Sequence, residues 1–137
     1  MMSDLDDAHA AESLRRYLVN QVATASPAQR LVMLLDQLRR DLHCAQLAFA
    51  AKDLKEISDN LVHAQHILNA LRDPLDRTTE LGQALSGVYG FCVQTLIEIN
   101  LKKNPKQLPD VLGIIDRITE ANRAALAAMS QVDSVNA

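Results

Sequence analysis

The residues that could do chemistry are few. His63 and His66 stand three apart, so a helix would put them on one face, where they could grip a metal between them or serve as a phosphorelay site. Neither use has local support. Carboxylate-bridged metal bundles use Glu-x-x-His on facing helices, and none of His43, His63 or His66 has an acidic residue three positions earlier. The segment His63-Ala64-Gln65-His66 lacks the lysine and glycine expected just after a phosphorelay histidine. Cys44 and Cys92 lie on helical patterns and read as separate thiols, not as a bridge. No Ser–His or Cys–His pair stands out. The reading is of a chain without catalytic residues, cofactor or metal, with a histidine phosphotransfer or signalling bundle as the alternative.

The elements that carry these residues are helices. Ser26-Pro27 reads as a helix start, with the serine oxygen accepting a first-turn N–H and proline at the first helical position. Leu31, Leu35, Leu38, Leu42, Ala45 and Phe49 follow at alternating intervals of four and three, a stripe that needs another helix to cover it. This helix is expected to end near Ala51. Asp53 with Glu56 resembles a capping box for a second helix to about Arg72, striped by Leu54, Ile57, Leu61, Ala64, Leu68 and Leu71. Its other face, with Lys55, Glu56, Asp59, His63 and His66, reads as solvated. Asp73-Pro74 ends it. Thr78 is the expected cap of a third helix, reaching about Lys102. Asn104-Pro105 can cap a fourth, or Pro109 can mark its true start after an irregular turn. Val111, Ile115, Ile118, Asn122, Ala125 and Met129 form its stripe.

The third helix has two apolar faces. Leu81, Leu85, Val88, Cys92, Leu96 and Ile99 form the main stripe, and Tyr89, Val93, Ile97 and Leu101 a second, near Gly82, Ser86 and Gly90. Glycine in a helix interior costs about 1 kcal/mol relative to alanine, so Gly82, Gly87 and Gly90 need a tertiary reason. Either this helix is central in the bundle, or one face is a groove for a partner's helix. On the first helix Met33 and Leu47 lie opposite the main stripe; they are isolated surface residues or border a partner site.

Composition agrees with a helical bundle. The chain has 137 residues, 48% apolar, with two Phe, two Tyr and no Trp, so the core must be aliphatic. A formal charge of −3 without a clustered basic run argues against nucleic-acid binding. No apolar run reads as membrane-spanning, and the acidic start Met1-Met2-Ser3-Asp4-Leu5-Asp6-Asp7 is unlike a signal peptide, so a cytoplasmic protein is expected. The predicted architecture is an all-α antiparallel four-helix bundle with a short additional N-terminal helix or segment: a disordered tail over 1–10, one domain over 11–129, and a frayed tail over 130–137.

Tyr17-x-x-Asn20-x-Val22-x-Thr24-Ala25-Ser26-Pro27, followed by Leu31-x-Met33-Leu34-Leu35-Asp36, resembles the opening signature of the flagellin export chaperone family (FliS). Asp59-Asn60-Leu61-Val62-His63-Ala64-Gln65-x-Ile67-Leu68-x-x-Leu71 is similar to that family's second helix, and Leu85-x-x-Val88-Tyr89 with Leu96-x-x-x-Asn100 to its third. Leu35 stands where the family often has tyrosine, Gln37 where it has glycine, and the tryptophan often found near the end of the last helix is absent. The resemblance implies a cytoplasmic bundle that binds the C-terminal region of flagellin, prevents premature polymerisation and delivers it to the flagellar type III export gate; a monomer or homodimer is expected. No enzyme activity, cofactor, nucleic acid or membrane insertion is implied. The expected partner-binding residues are Tyr17, Leu18, Val22, Thr24, Met33, Tyr89, Val93, Ile97 and Leu101. In the family, the segment containing the N-terminal tyrosine, here Tyr17, can lie over an apolar groove when flagellin is absent.

Overall fold

The computed structural model describes residues 9–13, 15–16 and 25–136, and among them no strand occurs. Residues 9–13 and 15–16 are helical. Four long helices follow: α1 (Pro27–Ala50), α2 (Leu54–Arg72), α3 (Glu80–Lys102) and α4 (Leu108–Asn136), with a 3-10 turn at Pro105–Gln107 before α4. Tyr17, Leu18, Val22 and Thr24 lie outside the described residues.

Local chemistry sets the helix ends. The Ser26 hydroxyl accepts the Gln29 N–H at 3.2 Å, and the Ser26 N–H donates to Gln29 Oε1 at 2.8 Å, a complete capping box. Asp53 accepts the Glu56 N–H at 3.2 Å and caps α2. The cap of α3 is Thr79, not the expected Thr78: its hydroxyl accepts the Gly82 N–H at 3.0 Å, while Thr78 is turned toward the Asp76 carboxylate. Asn104 caps the 3-10 turn, and Pro109 falls in the first turn of α4, so the irregular-turn alternative is the one adopted. The helix α4 continues past Met129 to Asn136, because no glycine or proline follows Gly113 to stop it.

The helices are antiparallel, ordered α4–α1–α2–α3 across the bundle. His63 meets Asp41 between α2 and α1, Ser58 meets Asn100 between α2 and α3, and Arg39 meets Asp116 between α1 and α4. The core is aliphatic: Leu35, Leu38, Leu42, Leu61, Leu68, Leu96, Leu108 and Ile115 are fully buried. The stripes of α1 and α2 enter it almost whole, but Leu54, the first position of the α2 stripe, is exposed.

The helix α3 is not central. It packs chiefly on α2 and touches α4 little, although the two are joined by the short Pro105–Gln107 turn. Among the described residues, α3 is the one helix long and apolar enough to cross a membrane by length and composition, which corrects the expectation that no segment would be. Its apolarity has a source inside the bundle: one side builds core and another stays open.

Candidate functional site

Both stripes of α3 feed the core. Gly82, Ser86, Tyr89 and Val93 are buried, with Tyr89 only 3% and Val93 only 8% exposed, and so are Cys92, Leu96 and Ile99 of the main stripe. The expectation that Tyr89 and Val93 stand on a free partner face is therefore corrected. Ile97 is partly buried against the core, and Leu101, at the far end of the helix, is exposed. Met33 on α1 is half-buried and Leu47 is exposed.

The reason lies at Gly82. A side chain there would stand 1.8 Å from the Asp76 carbonyl oxygen, so the α2–α3 loop folds directly onto the start of α3. Close approach needs the smallest residues inward. Gly82 and Ser86 therefore face the loop and α2, and Tyr89 and Val93, one and two turns on, are carried inward with them. Leu81 and Phe91 are left outward, with Leu85 and Val88 half-covered; Leu81 and Phe91 are 70% and 58% exposed.

A second apolar row runs along the last turns of α4. Met129 and Val132 are exposed and Leu126 is half-buried. The antiparallel arrangement puts this row at the same end of the bundle as Leu81, Leu34 and the start of α1. Leu34, Leu81, Met129 and Val132 are thus exposed apolar side chains toward one end of the bundle, as Leu47, Leu54 and Leu101 are toward the other.

Polar contacts brace the former end. Asp36 of α1 pairs with Arg123 of α4, and Arg39 donates to Asp116 at 2.5 Å. The hydrogen bond to Asp36 pushes the Arg123 guanidinium further toward its charged form. Between α2 and α3, Arg72 and Arg77 each donate to the hydroxyl of buried Ser86, at 3.1 Å in both cases. Sequence reading missed these arginines, because nothing in their local spacing couples them to Ser86.

His63 is exposed, as its side of α2 suggested, but it is not merely solvated: its Nδ1 meets the Asp41 carboxylate. Among the described residues no cluster of His, Cys, Asp and Glu could hold a metal ion. Clefts of about 110 and 270 Å³ occur beside Asn104 and between Arg39 and Glu120, both polar and open, and smaller than most ligand pockets.

A family model described as "Flagellar protein FliS" matches residues 10–129. The chain belongs to the FliS family. Among FliS relatives, the flagellar secretion chaperone of Bacillus subtilis is 27% identical over 110 residues, 80% of this chain and 83% of that protein. The flagellar secretion chaperone of Salmonella typhimurium is 30% identical over 103 residues, 73% of this chain and 76% of that protein. A solved structure described as a flagellar chaperone from bacteria superposes with a TM-score of 0.70 at 16% identity, covering 87% of this chain and 98% of that one, which supports the fold. The FliS assignment leaves the phosphotransfer alternative without support, and the family is one of chaperones, not an enzyme class.

Proposed function

We propose that this chain is a cytoplasmic flagellar secretion chaperone that binds the C-terminal region of flagellin, holds it from polymerising and hands it to the type III export apparatus. The observation that carries the reading is the family match over residues 10–129. Exposed apolar side chains give it a physical basis. A client segment that is disordered before assembly needs a long apolar surface on which to order, and the ordering takes up part of the interaction energy. Exposed Leu81, Met129 and Val132 toward one end of the bundle, and Phe91 midway along α3, are apolar side chains open to it. Met33 and Leu101 remain proposed contributors at its margins. Tyr17, Leu18, Val22 and Thr24 are proposed as the cover of this end in the free protein. The chain enters the bundle there, at Ala25 beside the Ser26 cap, and each residue can span up to about 3.5 Å, so the segment is long enough to extend over this end. The unit acts as a monomer or homodimer, without cofactor or catalysis.

The test is calorimetric titration of a peptide of the flagellin C-terminal region into the full chain. Saturable binding that weakens at least about tenfold in Phe91→Asp is expected, since a carboxylate would lose water on complex formation. Absence of binding to the unaltered chain would refute the function. Unchanged affinity in the variant would move the client off this face.

A further inference from the structure

Arg72 and Arg77 converge on one neutral oxygen. Arg72 Nε and Arg77 Nε each lie 3.1 Å from Ser86 Oγ, and Ser86 is only 6% exposed. Among the described residues neither arginine forms an ion pair, and each makes this single side-chain hydrogen bond. Two like charges held around one hydroxyl repel each other, and each guanidinium keeps further N–H donors unused.

The arrangement is built, not incidental. Gly90 leaves the space that Arg72 occupies: a side chain at position 90 would stand 3.1 Å from the Arg72 guanidinium carbon. The loop bearing Arg77 is pinned at several points. Gln83 Nε2 donates to the Arg77 carbonyl at 2.9 Å, and Gly82 admits the Asp76 carbonyl. Among the described residues neither acid of this loop, Asp73 or Asp76, is ion-paired with either arginine. Asp76 accepts the Thr78 hydroxyl at 2.6 Å and the Thr78 N–H at 2.9 Å, bonds that hold its carboxyl below its usual range.

Resting on the chaperone reading above, we infer that Arg72 and Arg77, organised by Ser86, form a carboxylate-binding site that anchors an acidic group of the client peptide. Guanidinium forks match a carboxylate in two parallel hydrogen bonds, and a carboxylate between the arginines would relieve their repulsion. A peptide carboxylate fits better than a free phosphate, because the site lies on the same turns of α3 as exposed Leu81 and half-covered Leu85, which suit a chain carrying apolar side chains. The carboxylate can come from an acidic side chain or from the end of the client chain.

Two measurements test the site. In the first, arginine Nε–H signals of the full chain are followed by NMR as sodium acetate replaces sodium chloride at constant ionic strength. A saturable shift confined to Arg72 and Arg77 is expected; equal shifts at all arginines, Arg30 and Arg40 included, would overturn the site. In the second, the flagellin peptide is titrated as free acid, as C-terminal amide, and with its acidic side chains replaced by amides. R72Q/R77Q should lose roughly tenfold or more in affinity for the free acid. R72K/R77K should recover only part, because lysine keeps the charge without the fork. Should the double variant melt far below the unaltered chain, R77Q alone, at the more exposed arginine, takes its place. Loss on amidating the chain end identifies the terminus, and loss on replacing the acidic side chains identifies those. A peptide that binds R72Q/R77Q as tightly as the unaltered chain refutes the site and leaves the chaperone reading intact. A peptide that binds neither refutes that reading, and the acetate titration then decides the site by itself.

Discussion

Asp41 and His63 meet across α1 and α2, with Oδ2 and Nδ1 2.5 Å apart. Asp41 is 6% exposed, and its other oxygen accepts Gln37 Nε2 at 3.0 Å. His63→Ala removes one partner and leaves a buried carboxylate with Gln37 alone. That should cost about 1–3 kcal/mol, more than a typical surface substitution. His66→Ala, on the same side of α2, should cost less than about 0.5 kcal/mol. Urea midpoints of the two variants compare them directly, and equal midpoints would show that the pair contributes nothing.

The Ser26 capping box joins the entering chain to the longest run of core leucines. Ser26→Ala should lower stability by about 0.5–2 kcal/mol, read as a lower denaturant midpoint at unchanged slope. Ser26→Gly should cost only a few tenths, since glycine is tolerated at this position.

Two glycines of α3 should respond in opposite directions. Gly87 has open space around it, so Gly87→Ala should raise stability by roughly 0.5–1 kcal/mol through helix propensity alone. Gly82→Ala sets a methyl group against the Asp76 carbonyl and must displace the loop, so it should lower the melting temperature. A melting temperature that rises in both would contradict the close approach that turns α3.

Val93 is in the core and Leu101 is not. Val93→Glu should destabilise by about 3 kcal/mol or more, because a carboxylate would be buried without a partner. Leu101→Glu, at 80% exposure, should leave the fold within about 0.5 kcal/mol. Thermal melting of both variants decides whether the inward face of α3 has been identified correctly.

Burial pushes the Cys92 thiol from 9.0 up to about 11. Its folded value lies above its unfolded one, so its contribution is complete below pH 9 and is lost as pH rises through about 11. Tyr89, also raised by burial, acts in the same direction from pH 10 upward. Stability should therefore fall across this alkaline range, and less steeply in Cys92→Val. At pH 8 a thiol reagent should label exposed Cys44 and spare Cys92, which a mass measurement of the native protein would show.

The sequence by itself determined the helices, their approximate ends and most of the core. Periodicity and capping are local: the three-and-four spacing from Leu31 to Phe49 requires one covered face, and Ser26, Asp53 and Asn104 satisfy N–H groups within a turn of themselves. The family was also legible, because its signature lies in contiguous stretches. The tertiary structure decided how α3 is turned. Both of its apolar faces feed the core, Tyr89 and Val93 from one and Cys92, Leu96 and Ile99 from the other, so hydropathy could not say which apolar residues stay out. The choice fell to Gly82 and Ser86, whose small size lets the loop carrying Asp76 and Arg77 pack directly on the helix, sending Tyr89 and Val93 inward and leaving Leu81 and Phe91 out. The pairing of Asp41 with His63 and the meeting of Arg72 and Arg77 at Ser86 were hidden for the same reason. Each joins residues from different elements, and only the packing of one helix on another brings them within a hydrogen bond.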